Sequence, residues 1–284
     1  MEIRRGTLRD FAKVVQLLRM VFPQDEAGYY WSFLRFDPFF RPQDVWLAKK
    51  GKEVVSCLWI LRRFFSDGGR VLLGGGVANV ATHPAFRGKG LASQLLEEAV
   101  DEAKREDFSF LVLVTEIPSF YERFGFRGYQ KWVGQVEPEG KGEAGLARTK
   151  AGEILEQYEA FYRKRKLLVP VRNHSYLRGL ERWNRYSARF REGENLAFWG
   201  KKGKTIGYIL PGTQSIEVFD LFFEENPVSV LSLLRAFGKP VKLFHHPEVL
   251  SELGIPHVVD RETVMVCPLK VFPERLYLPP ADYF

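Results

Sequence analysis

Cysteine, methionine and histidine are scarce in this 284-residue chain, with 2 Cys, 3 Met and 5 His. Cys57 and Cys267 each stand alone inside an apolar run, Val-Val-Ser-Cys-Leu-Trp and Val-Met-Val-Cys-Pro-Leu. That spacing excludes a disulfide framework and a thiolate metal site, and it predicts two buried thiols in a reducing cytoplasm. No run of about 18 apolar residues occurs, which excludes a membrane-spanning helix. Met1 to Arg5 lead directly into a folded pattern, without the apolar core of a signal peptide. The sparing use of Cys, Met and Asn is a habit of thermophilic proteins.

What is present is the composition of a folded protein: 45% hydrophobic and 27% charged residues place the chain outside the disordered class. Its length suffices for about two domains with a core each. The 42 basic residues exceed the 35 acidic ones, giving a net charge of +7. Such a surplus favours polyanions, whether a phosphate-bearing cofactor or nucleic acid. Basic and aromatic residues do alternate over Phe161 to Arg165 and at Trp183-Asn184-Arg185-Tyr186. Helical packing explains those runs as well as base stacking does, and nucleic acid is not the expected partner.

Residues 1–137 read as alternating strands and helices. Thr7-Leu8-Arg9-Asp10 has capping-box spacing, and Phe11, Val14, Val15, Leu18, Val21 and Phe22 behind it recur at helical period. Strands are predicted over Val45 to Lys49, Glu53 to Phe65 and Val71 to Thr82, then a helix from Leu91 and a buried strand over Phe110 to Val114. Residues 138–150, rich in Gly, Glu and Lys, read as a linker. Residues 151–270 open with two helical patterns, Ile154 to Leu168 and Ser175 to Phe190, and continue into strands. His245-His246 before Pro247 reads as a turn. Residues 271–284 form a tail. Leu47 to Val55 is echoed by Phe198 to Ile206, each a strand, a Lys-Gly turn and a second strand after two helices. That repetition predicts two copies of one fold.

The chemistry concentrates in Asn79 to Ala92, Asn-Val-Ala-Thr-His-Pro-Ala-Phe-Arg-Gly-Lys-Gly-Leu-Ala. Gly88 and Gly90 leave backbone N–H groups free to converge on an oxyanion. The helix starting at this bend adds roughly half a positive charge there, and Arg87 and Lys89 add full ones. Together they form a pyrophosphate cradle. No G-x-x-x-x-G-K-[ST] and no G-x-G-x-x-G with a following acid occur, which sets aside P-loop and dinucleotide folds.

Arg87-x-x-Gly90-x-Ala92, between a strand and an amphipathic helix, resembles the acetyl-CoA signature of the GCN5-related N-acetyltransferases (GNAT). Ser119-Phe-Tyr-Glu-Arg-Phe-Gly-Phe126 resembles their second signature. Leu155 to Arg165, Ser175-Tyr176-Leu177 and Asp260 to Val266 are similar to the second domain of the enhanced-intracellular-survival (Eis) branch. That branch carries a third, sterol-carrier-like domain, whereas only fourteen residues follow Lys270 here.

The resemblance implies an α/β protein (α+β, mixed sheet) of tandem acetyltransferase folds. The first, 1–137, is catalytic; the second, 151–270, is degenerate, since Glu224-Glu225-Asn226-Pro227 stands where a glycine bend would be. It implies transfer of an acetyl group from acetyl-CoA to a primary amine of a small molecule or peptide, in a ternary complex and without a metal. The alternatives are a non-catalytic acyl-CoA-binding protein and a transferase using an aminoacyl or mycothiol-type donor. Backbone groups of Val80 and Thr82 would hold the pantetheine arm, and those of Arg87, Gly88, Lys89, Gly90 and Ala92 the pyrophosphate. Tyr121 matches the general acid of the family. Asp25, Glu26 and Glu116 are candidates on the acceptor side. In the Eis branch the terminal carboxylate acts as base, which here would be that of Phe284. The resemblance is compatible with a homo-oligomer.

Overall fold

The computed structural model of the protein describes residues 1–139, 147–184, 197–201, 204–212, 214–260, 263–279 and 282. In the first half the order is β1 (Glu2–Arg5), α1 (Phe11–Val21), α2 (Ala27–Phe36), β2 (Val45–Lys50), β3 (Glu53–Ser66), β4 (Val71–Thr82) and α3 (Leu91–Arg105). It continues with β5 (Phe110–Thr115), α4 (Pro118–Glu122), β6 (Arg127–Tyr129) and β7 (Trp132–Val136). The second half holds β8 (Ala147–Arg148), α5 (Ala151–Arg165), β9 (Val169–Pro170), α6 (His174–Asn184), β10 (Ala197–Lys201), β11 (Thr205–Pro211) and β12 (Ile216–Phe223). After these come α7 (Pro227–Arg235), β13 (Val241–Phe244), α8 (Pro247–Glu252), β14 (His257–Val259) and β15 (Thr263–Pro268). Helix α5 stops at Arg165 because Lys166 turns left-handed, at φ 51°. The predicted end of the second helical pattern, Phe190, lies outside the described residues.

Two mixed sheets result, with strand orders β1-β2-β3-β4-β5-β15-β6 and β8-β10-β11-β12-β13-β7-β14. Position for position the orders correspond, so the echo between the Lys-Gly hairpins belongs to a whole repeated sheet: two copies of one α/β fold. In each sheet the fourth and fifth strands are parallel, β4 with β5 and β12 with β13. Strand β9 adds to the far end of β3.

The sheets differ from the expected boundaries in both halves, beyond the short β9 that joins β3. Strand β7, inside the expected first domain, pairs with β13 and β14 of the second sheet. Strand β15, expected to close the second domain, lies between β5 and β6 of the first. The chain thus crosses between sheets after Tyr129, touches the first sheet again at β9, and returns to it after Val259. Alternating apolar residues say that a segment is a strand, but not which of two similar edges it completes. Within the expected linker, Ala147-Arg148 pairs with β10 as an edge strand, and residues 140–146 lie outside the described residues.

The first sheet is covered on one face by α3, whose Leu91, Leu95, Leu96, Ala99, Val100 and Ala103 are all buried. Each buried leucine contributes roughly 2 kcal/mol. Its other face carries α1 and α2 over an aromatic cluster, with Phe40 and Phe11 at 5.2 and 5.8 Å from Trp59. At the start of α1, Asp10 accepts hydrogen bonds from the Thr7 N–H and hydroxyl and pairs with Arg4, which holds its carboxyl far below the usual range. Both cysteines are buried and free.

Candidate active site

A cleft opens where β4 and β5 part. They pair at Gly74–Phe110, Gly75–Leu111 and Gly76–Val112, and no further. Beyond that point β4 stays paired with β3 as far as Thr82, and β5 with β15 as far as Thr115. Each strand is held on its outer edge while the inner edges are no longer paired, so along Val77 to Thr82 the inner edge of β4 has no strand partner among the described residues. The β3–β4 register shifts there: Trp59 faces Ala78 but Cys57 faces Ala81. The extra residue is absorbed at Asn79, whose φ is +52°, a bulge that re-aims the strand. Val80 and Thr82 are half-exposed along this edge. The Thr82 hydroxyl is 2.9 Å from that of Ser56.

At the end of β4 the chain turns through His83 to Phe86 into the glycine loop. Gly88 and Gly90 both adopt φ +73°, and a Cβ built on either meets no atom within 4 Å. Internal packing therefore does not require glycine here; the left-handed backbone does, together with unobstructed approach from outside. Gly90 is the N-cap of α3, and no side chain caps it, so the first-turn N–H groups are left for a ligand. Arg87 and Lys89 are exposed beside them, with the Lys89 ammonium 4.9 Å above the Phe86 ring. These features fit a pyrophosphate.

Tyr121 sits on α4, buried against the same cluster as Leu91 and Leu95. Arg123 ties α4 to α3 by donating to the Ser93 hydroxyl at 2.6 Å, so the phenol is held beside the helix that carries the loop. Burial pushes its pKa up to about 12. Glu116, just past β5, is exposed. Asp25, between α1 and α2, is half-buried and accepts from the Tyr30 hydroxyl at 3.1 Å; Tyr30 in turn lies 6.1 Å from Trp59. Asp25 is thus joined through two rings to the bulge, on the sheet face opposite α3. Its neighbour Glu26 is exposed at the N-cap of α2. Among the described residues no group of three His, Cys, Asp or Glu is placed to hold a metal ion.

The equivalent cleft of the second sheet is filled. Strands β12 and β13 pair only over Ile216–Val241 to Val218–Leu243. Past that point His245 Nε2–H donates to the Leu221 carbonyl at 2.8 Å, and the Tyr277 hydroxyl to the Phe244 carbonyl at 3.1 Å. The His245 and Tyr277 rings stack at 4.6 Å. Burial pushes the His245 pKa down to about 3, so the ring is neutral and its Nδ1 accepts from the His246 N–H. The first-turn amides of α7 are occupied as well: Asn226 accepts from Val228 at 2.7 Å and from Ser229 at 3.4 Å. His245 and His246 are therefore more than a turn; one plugs the cleft and the other caps α8. Phe161 and Tyr162 of the basic-aromatic run are buried and present no stacking surface.

The tail is docked rather than loose. Leu276, Tyr277 and Leu278 are buried, and Leu168 exchanges backbone hydrogen bonds with Arg275 and Tyr277. Asp282 is buried with its carboxylate 2.5 Å from Arg172, which also faces Asp220 at 2.7 Å. Tyr176 donates to Asp282 and Tyr162 to Asp220. The sequence reading missed this cluster; the signal available to it was one acid in an otherwise apolar ending. Phe284, the candidate base, lies outside the described residues.

Residues 2–128 match the family model of the acetyltransferase (GNAT) domain. No curated protein was found to match the chain. Three solved structures share the architecture. A GCN5-related N-acetyltransferase from Kribbella flavida superposes with a TM-score of 0.72 at 16% identity, covering 95% of this chain and 71% of that one. A putative acetyltransferase from Pyrococcus horikoshii gives 0.58 at 14%, covering 100% and 95%. Eis1 from Mycobacterium abscessus gives 0.58 at 12%, covering 95% and 74%. At these identities the likeness is one of fold.

Proposed function

We propose that the protein is an N-acetyltransferase of the Eis-like branch that moves an acetyl group from acetyl-CoA to a primary amine in a ternary complex. One observation carries this reading. The opened edge of β4 leads directly into two left-handed glycines at an uncapped helix N-terminus, and a Cβ on either glycine would meet no protein atom. Acetyl-CoA supplies the thioester. Main-chain groups of Val80 and Thr82 bind its arm as an added strand would be bound, and amides from Arg87 to Ala92 bind the pyrophosphate. Asp25, Glu26 and Glu116 are the groups proposed to attract and orient a cationic acceptor, a small molecule or a peptide. Calorimetry should find one acetyl-CoA per chain, and a panel of amines should yield acetylated product. Binding without any product would instead favour a non-catalytic acyl-CoA-binding protein.

Tyr121 is the proposed proton donor to the departing thiolate. With a pKa near 12 it keeps its proton throughout the neutral range. The same burial raises the proton affinity of a thiolate formed beside it, so the transfer is not as uphill as solution values suggest. Tyr121→Phe should lower kcat by about 10²-fold and leave the acetyl-CoA Kd within a few fold. Retention of full kcat would remove Tyr121 from the mechanism.

The terminal carboxylate of Phe284 is the proposed base. Its support is that the tail is drawn into the interior at Leu276 to Leu278 and again at Asp282. A short C-terminal extension should therefore reduce turnover tenfold or more while acetyl-CoA still binds. An extended protein that acetylates at the native rate would move the role to Glu116 or to water.

A further inference from the structure

The strand that completes the first sheet does not come from the first half. The match to the GNAT domain ends within β6, and the place between β5 and β6 is taken by β15, Thr263–Pro268, from the other end of the chain. Along Leu113 to Thr115, where β5 no longer pairs with β4, β15 is its strand partner among the described residues. Met265 faces Leu113, Val264 faces Val114 and Thr263 faces Thr115. β15 thus holds the β5 wall of the cleft. Its side chains alternate between two clusters. Val264 and Val266 are buried with Leu276 and Leu278 of the docked tail, and Met265 and Cys267 with Tyr121 and Phe126. Cys267 also reaches the turn that follows α4. Its Sγ lies 3.5 Å from the Phe124 carbonyl, and burial pushes its pKa up, so the group is a thiol and donates. The Phe124 N–H in turn donates to the Tyr121 carbonyl at 3.0 Å. A Cβ added to Gly125, left-handed at φ +86°, would stand 3.5 Å from the same sulfur. The turn that closes the helix of Tyr121 is therefore seated on the exchanged strand.

We propose that Cys267 and Met265, carried by β15, are positioning residues for Tyr121, so that the acid of the first copy is set by a strand from the far end of the chain. The proposal rests on the acetyltransferase reading above. A proton donor works only within hydrogen-bond reach of the departing sulfur, and a displacement of about 1 Å can cost about 10²-fold in rate. Tyr121 sits on a helix of one short turn, Pro118–Glu122, which has little rigidity of its own. Its hydroxyl keeps a fixed place because the turn behind it is pinned to a strand that is itself paired on both edges, to β5 and to β6.

The test is made in the full-length protein. Cys267→Ala removes the thiol and keeps the strand backbone. Its kcat should fall about tenfold with the acetyl-CoA Kd within a few fold. Cys267→Ser, which keeps a donor, should recover part of that loss. Met265→Ala should act in the same direction, and Met265→Leu, of similar volume, should restore the rate. The deciding measurement is the double variant. In a Tyr121→Phe background Cys267→Ala should cost less than about twofold, since a residue that acts through the phenol has nothing left to position. Hydrogen exchange gives a readout independent of turnover: the Phe124 amide should exchange faster in Cys267→Ala than in the native protein. An equal tenfold loss with and without the Tyr121 hydroxyl would make the role structural and overturn the assignment. A Cys267→Ala protein with native kcat and native exchange at Phe124 would overturn it as well. Should the native protein bind no acetyl-CoA at all, the acetyltransferase reading fails first and this assignment falls with it.

Discussion

Gly90→Asp should leave the protein folded and abolish acetyl-CoA binding. Folding is spared because Gly90 is exposed, a Cβ there meets nothing within 4 Å, and aspartate is among the residues that tolerate left-handed backbone best. Binding is lost because the carboxylate would stand at the uncapped start of α3, where the pyrophosphate is proposed to lie. Two unit charges 4 Å apart near a protein surface repel by about 4 kcal/mol, which is about a thousandfold in Kd. The carboxylate would also accept the first-turn N–H groups itself, as Asn226 does at α7 in the second copy. Gly90→Asn is the control: it has nearly the same shape and no charge, and it should bind more tightly than Gly90→Asp. Calorimetry that finds Gly90→Asp binding normally, or two equivalent sites in the native protein, would remove the pyrophosphate from this loop.

The repeat and the loop were legible in the sequence for different reasons. Turn chemistry is local, so Lys50-Gly51 and Gly88-Lys89-Gly90 declared a hairpin and an anion-binding bend without any long-range knowledge. The correspondence of the two sheets follows from the same hairpin echo. Strand partnership is not local. Thr263–Pro268 (Thr-Val-Met-Val-Cys-Pro) and Trp132–Val136 (Trp-Val-Gly-Gln-Val) both read as short, mainly apolar strands, and each could complete either sheet. Only the crossings after Tyr129 and Val259 decide it. The bulge was equally hidden, because a left-handed Asn79 looks like any other strand residue until the register of β3 against β4 is known.

The filled second cleft shows a further limit. Glu224-Glu225-Asn226-Pro227 was enough to read that half as unsuited to pyrophosphate. It could not announce that His245 and Tyr277, 32 residues apart in sequence, would meet and take the carbonyls that a ligand would otherwise use. Side chains drawn from distant segments carry no spacing signature. The same holds for the acidic pair around Arg172, whose members lie at positions 220 and 282.

That cluster is where a substitution should do the greatest damage to stability. Arg172→Met should lose about 3–5 kcal/mol at pH 8, the usual penalty for leaving a buried charge without its partner. Among the described residues, Asp220 and Asp282 would then keep the Tyr162 and Tyr176 hydroxyls as their side-chain donors. The loss should depend on pH with a definite sign. Burial already holds the Asp220 carboxyl above its ordinary pKa in the native protein, and the Arg172 charge opposes that shift. Without the arginine the folded-state pKa rises further while the unfolded value stays put. The folded variant therefore binds more protons than its unfolded chain, and its stability falls as pH rises through the elevated pKa. The penalty relative to native should be smallest in mild acid near pH 5 and grow toward pH 8. Replacing the two acids as well, with Asp220→Asn and Asp282→Asn, should recover part of the loss at pH 8, since no unpaired charge would remain. Denaturant melts across this range provide the check. An Arg172→Met protein as stable as native at pH 8, or one whose deficit deepens in acid, would mean that this cluster does not hold the tail by paired charge.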